Sequence, residues 1–71
     1  MTQNQKDFIS EVQLRAQQWN FSGSAYPMAD DPTGEVLMEL SCIAKNYNLK
    51  IVRRDGMIVL KAEKRTRSSN N

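Results

Sequence analysis

The stretch NLKIVRRDGMIVLKAEK, residues 48–64, decides how this chain is read. Two apolar runs flank Asp55-Gly56, and Asp-Gly between such runs is a strong local signal for a two-residue type I′ turn. That turn fixes the register. Arg54 faces Met57, Arg53 faces Ile58, Val52 faces Val59, Ile51 faces Leu60 and Lys50 faces Lys61. Cross-strand partners share a face. One face therefore holds Leu49, Ile51, Ile58, Leu60 and Ala62, with Arg53 at its tip. The other holds Lys50, Val52, Arg54, Met57, Val59 and Lys61: two valines and a methionine framed by cations.

Upstream, DDPTGEVLMELSCIAKNYN reads as a helix. Asp31 suits the N-cap, with Pro32 at the first helical position, where its missing N–H costs nothing. Val36, Leu37, Leu40, Ile43, Ala44 and Tyr47 recur at helical spacing on one side. Met38 and Cys42 lie off that side, and Asn48 is a natural stop. A first amphipathic helix is expected over residues 5–20. Phe8, Ile9, Val12, Ala16 and Trp19 form its stripe, Leu14 lies opposite, and either Thr2 with Gln5 or Asn4 with Asp7 fits a cap at its start. Between the helices, FSGSAYPMADD reads as an ordered loop in which one or two of Phe21, Tyr26 and Met28 fold back over the core. RTRSSNN, residues 65–71, has nothing to bury and reads as a disordered basic and polar tail.

These elements amount to a small α+β domain over residues 1–64, two amphipathic helices packed on a C-terminal antiparallel hairpin. At 71 residues the core is small, and such a core rarely supplies more than about 3–5 kcal/mol without staples. One cysteine and no histidine leave no internal disulfide and no ordinary zinc site. A two-stranded sheet also leaves open edges. Both points favour a homodimer, with a four-stranded sheet across it as one arrangement.

Residues 1–48 carry three cations and six carboxylates, whereas residues 49–71 carry seven cations and two carboxylates. The acidic front and basic back suit an anionic partner or attraction between the two halves. A helix leading into a basic-tipped hairpin resembles the wing half of winged-helix proteins, over residues 32–62. The resemblance implies hairpin contacts to phosphates. It departs from the full motif, which has a three-helix core. The outward side of the second helix (Glu35, Met38, Glu39 and Cys42) is acidic and apolar, which repels a nucleic-acid backbone.

Enzyme chemistry of the familiar kinds lacks its parts. There is no histidine for general-base work, no phosphate-binding glycine motif and no CxxC pair. Cys42 sits mid-helix without an activating neighbour, so it reads as a packing thiol. Asp30, Asp31 and Glu35 offer too few oxygens for a hard cation, and Asp31 already serves as a cap. No cofactor or metal is expected.

The expected function is that of a non-catalytic regulatory or inhibitory module that docks on another macromolecule. Its contact residues would be Lys50, Val52, Arg53, Arg54, Met57, Val59 and Lys61, with Arg65 and Arg67 from the tail. The alternative is a small DNA- or RNA-binding regulator using the same residues against phosphates. The polar start MTQNQKDF does not read as a signal peptide and no stretch is long and apolar enough for a membrane span. A cytoplasmic setting is expected, or a host's cytoplasm if the chain is phage- or mobile-element-encoded, as its short, Asn- and Gln-rich style suggests.

Overall fold

The computed structural model describes residues 1–18 and 21–62. Helix α1 spans Gln3–Gln17, strand β1 Ser24–Pro27, helix α2 Glu35–Tyr47, strand β2 Leu49–Arg54 and strand β3 Met57–Ala62; one turn of 3-10 helix, Met28–Asp30, follows β1. The class is α+β, with both helices packed on one face of an antiparallel three-stranded sheet of order β1-β3-β2.

The hairpin forms in the expected register at every pair from Leu49–Ala62 to Arg54–Met57. Asp55 and Gly56 have φ of 54° and 73°, the positive values that a type I′ turn requires at both central positions. The sheet, however, is not two-stranded. Residues 24–27, expected in a loop, pair antiparallel with β3, and the Met28 N–H continues that ladder by donating to the Gly56 carbonyl at 2.9 Å. β3 is therefore the central strand, and the hairpin tip has a third strand running alongside it.

Three contacts make β1 possible. The Tyr26 ring packs against the Phe8 ring of α1, with centroids 4.7 Å apart. The Arg15 guanidinium donates to the Gly23 carbonyl at 3.1 Å and to Ser24 Oγ at 3.0 Å, while it lies over the Phe21 ring. Gln5, buried in α1, donates its Nε2 to the Asp30 carbonyl at 2.7 Å. The first helix thus holds the segment 21–30 along its length. Replacing Arg15 by alanine removes two charge-assisted hydrogen bonds and a cation–π contact, a loss of about 1–2 kcal/mol. The expected result is faster amide exchange at Ser24 and Tyr26, the β1 residues that face β3, with the hairpin's inner amides unchanged. Equal acceleration throughout the sheet would contradict that local role.

The core joins Ile9, Val12 and Ala16 of α1, Val36, Leu40, Ile43 and Ala44 of α2, and Ile58 and Leu60 of β3. These are the apolar faces read from the helical and strand spacings; Leu14, Met38 and Cys42 lie outside, exposed. The capping box is present, with Thr2 Oγ1 accepting from the Gln5 N–H and Gln5 Oε1 accepting from the Thr2 N–H. Asn48 ends α2 in the left-handed conformation.

The start of α2 differs from expectation. The helix begins at Glu35 rather than at Pro32, because Pro32–Gly34 form a turn and Gly34 adopts φ 78°. Asp31 still caps it, from further back: its two carboxylate oxygens accept from the Val36 N–H at 2.9 Å and the Leu37 N–H at 3.0 Å. The same free N–H groups are satisfied, with the extra turn lengthening the reach. Trp19, Asn20, the domain's last two residues and the expected tail at 65–71, with Arg65 and Arg67, lie outside the described residues. Among the described residues no helix is long and apolar enough to cross a membrane.

Candidate interaction surface

The helices cover only the face of the sheet that carries Ile58 and Leu60. Successive strand residues point to opposite faces, so the other face follows from the two registers as three cross-strand rows. Pro27, Met57 and Arg54 form the row nearest the turn. Ala25, Val59 and Val52 form the middle row, and Lys61 with Lys50 the last. No core residue lies on this side. Val52, Met57 and Val59 are half-buried, while Lys50, Arg54 and Lys61 are exposed.

The arrangement is an apolar band across all three strands with cations at both ends. Lys50 and Arg54 are four residues apart on β2, about 13 Å along an extended strand. Among the described residues, no carboxylate forms an ion pair with Lys50, Arg53, Arg54 or Lys61. The free cations and the apolar band together make a surface that can bury methyl groups while meeting carboxylates at its margins. Interfaces commonly combine an apolar centre with a charged rim, and Met and Arg are enriched in them.

Six of the residues singled out from the sequence come together here: Lys50, Val52, Arg54, Met57, Val59 and Lys61. Arg53 does not join them. It pairs with Ile58 and stands at the exposed tip of the opposite face. Arg65 and Arg67 lie outside the described residues. Two members escaped the sequence reading, Ala25 and Pro27 of β1. The signal was faint. Ser24 and Tyr26 alternate with Ala25 and Pro27, but four residues ending in proline are too few and too mixed to declare a strand.

The aromatic rings sit on the other side. Phe8, Phe21, Tyr26 and Tyr47 all pack against the helix-covered core, so the open face offers no described ring on which a base could stack. The exposed side of α2 carries Glu35, Met38 and Glu39 together with the exposed thiol of Cys42. No group of three or more potential metal ligands occurs among the described residues. Comparison with protein-family models, with curated proteins and with solved structures gives no match to this chain.

Proposed function

We propose that this chain is a non-catalytic regulatory or inhibitory module that acts by occupancy, covering an acidic and partly apolar site on a partner protein. The observation that carries this reading is the sheet face left open by the described residues, where Ala25, Val52 and Val59 run between cations that pair with none of the described carboxylates. A band of methyl groups gains from being buried, at roughly 25 cal/mol per Å² of apolar area. The cations gain from carboxylates on the partner, and they steer its approach.

A nucleic-acid partner is the second reading. It draws on the exposed Arg53 and Arg54 beside the turn, with Lys50 and Lys61 further along the hairpin. Two features weigh toward the protein partner. β1 runs beside β3 up to the turn, tied by the Met28–Gly56 hydrogen bond, so the tip is not a free finger. The middle row also sets aliphatic groups where a phosphate backbone would need donors.

The test replaces Lys50, Arg54 and Lys61 together by glutamate. The three side chains are exposed, so circular dichroism is expected to match the unaltered chain. Immobilised chain should retain a protein from cell extract after nuclease treatment, and the charge-reversed variant should lose it at least tenfold. Retention that disappears with nuclease would favour nucleic acid. In that case log affinity should fall against log salt with a slope near −3 for three or four phosphate contacts. Equal retention by both forms would remove the open face from consideration.

A further inference from the structure

We propose that the outer edge of β2 receives an extended acidic segment of the partner protein as an added antiparallel strand. This rests on the docking reading above and specifies its chemistry.

Backbone geometry identifies the edge. In a two-residue hairpin the residues flanking the turn exchange both hydrogen bonds, and such pairs recur at every second position. Arg54–Met57, Val52–Val59 and Lys50–Lys61 are therefore the bonded pairs. Leu49, Ile51 and Arg53 point their N–H and C=O groups away from β3, where among the described residues β2 has no neighbouring strand. That is three outward donors and three outward acceptors on a six-residue strand without proline or bulge.

The opposite edge of the sheet is blunted. The Met28–Gly56 bond sets the phase of the β1–β3 ladder, so Ser24 and Tyr26 face β3 while Ala25 and Pro27 face out. Pro27 has no N–H, and the strand has only four residues. Proline and shortness are the usual means of closing an edge to further pairing. β1 has both and β2 has neither.

Charge names the occupant. β2 reads Leu-Lys-Ile-Val-Arg-Arg, with three cations and no carboxylate. A second copy of β2 laid against it can supply no opposite charge in any register. With Val52 opposite Val52, Lys50 of each copy faces Arg54 of the other, and like charges directly opposite destabilise. An acidic strand reverses the sign of each such pair. Opposed residues share a face, so the complementary strand carries carboxylates opposite Arg54, Arg53 and Lys50 and aliphatic groups opposite Val52, Ile51 and Leu49. Main-chain bonds supply affinity in strand addition, and the side-chain pairs supply specificity.

The probe is the synthetic peptide Thr-Glu-Glu-Val-Val-Glu-Val-Thr, with a control in which lysine replaces each glutamate. The measurement is amide hydrogen exchange by NMR on the full chain. On saturation the Ile51 and Arg53 amides should slow by about tenfold or more. The Val52 and Arg54 amides, already bonded to β3, should change little, and the lysine peptide should have no effect. Arg53→Pro removes an outward donor that the free fold does not use. It should weaken the glutamate peptide by roughly fivefold relative to Arg53→Thr, about one hydrogen bond's worth.

Binding that moves only the Ala25, Val52 and Val59 methyl signals would overturn strand addition and leave the docking face standing. Binding of both peptides would overturn the charge assignment. No binding by either at millimolar concentration would overturn the edge site, while the extract experiment independently judges the docking reading. Alternating protection in the peptide-free chain that fades on dilution would assign the edge to a second copy, against the proposal. The exchange pattern is read on the unaltered chain, so the outcome does not depend on any variant folding.

Discussion

Leu60→Ala is expected to leave the chain largely unfolded at room temperature. Leu60 has no exposed surface and sits on the central strand, where the core residues of both helices meet the sheet. Truncating a buried leucine costs about 2–5 kcal/mol, the transfer of the lost atoms plus the cavity they leave. A core of this size rarely supplies more than about 3–5 kcal/mol in total, so the loss is comparable to the whole. Neighbouring side chains have little freedom to fill the gap, because Ile58, Leu40, Val12 and Val36 are themselves fully enclosed. Circular dichroism and urea titration of the variant should show most of the helical signal gone without denaturant. A transition midpoint within a few tenths molar of the unaltered chain would mean that the core is held by something other than this strand.

The second large effect belongs to Asp31→Ala. Both oxygens of this carboxylate accept backbone N–H groups at the start of α2, and the side chain is buried, at 8% exposure. The Val36 donor is enclosed as well, with Val36 at 0% exposure, so no water can replace the lost acceptor without opening the helix end. An unsatisfied buried donor costs about 1–3 kcal/mol. Asp31→Asn keeps one carbonyl oxygen in place and should recover part of the loss. Thermal melts of the two variants should rank alanine below asparagine below aspartate. Equal melting of alanine and asparagine would show that the aspartate acts through its charge near the helix start rather than through the two bonds.

What was legible in the sequence follows from the range of the forces involved. The hairpin register depends on Asp55-Gly56 and on period-two alternation, both local, and each expected pair forms. The capping box at Thr2 and Gln5, the stop at Asn48 and the exposed positions of Leu14 and Met38 are equally short-range, whereas Cys42, expected as a packing thiol, is exposed. β1 was not legible. Its four residues have weak strand character and end in proline. They become a strand because Phe8 and Arg15, from the preceding helix, hold Tyr26, Gly23 and Ser24 in place. The start of α2 departs from the expected one for a similar reason. Pro32 after Asp31 looks like a first helical residue, yet Gly34 with positive φ inserts another turn before the helix. Six of the candidate contact residues could be placed on one face because the hairpin places them. Ala25 and Pro27 could not, since their membership depends on a long-range pairing.

The pairing of β1 with β3 also governs the order of assembly. The hairpin closes over two turn residues and α2 precedes it directly, so these parts can form early from neighbours in the chain. β1 must find a strand that follows all of them, across an intervening helix and two turns, and it brings only four residues to the match. The entropy of closing that long loop falls on the last and weakest seam of the sheet. Refolding should therefore end with β1 zipping onto an already built hairpin, and transient opening of the native chain should begin by peeling it away.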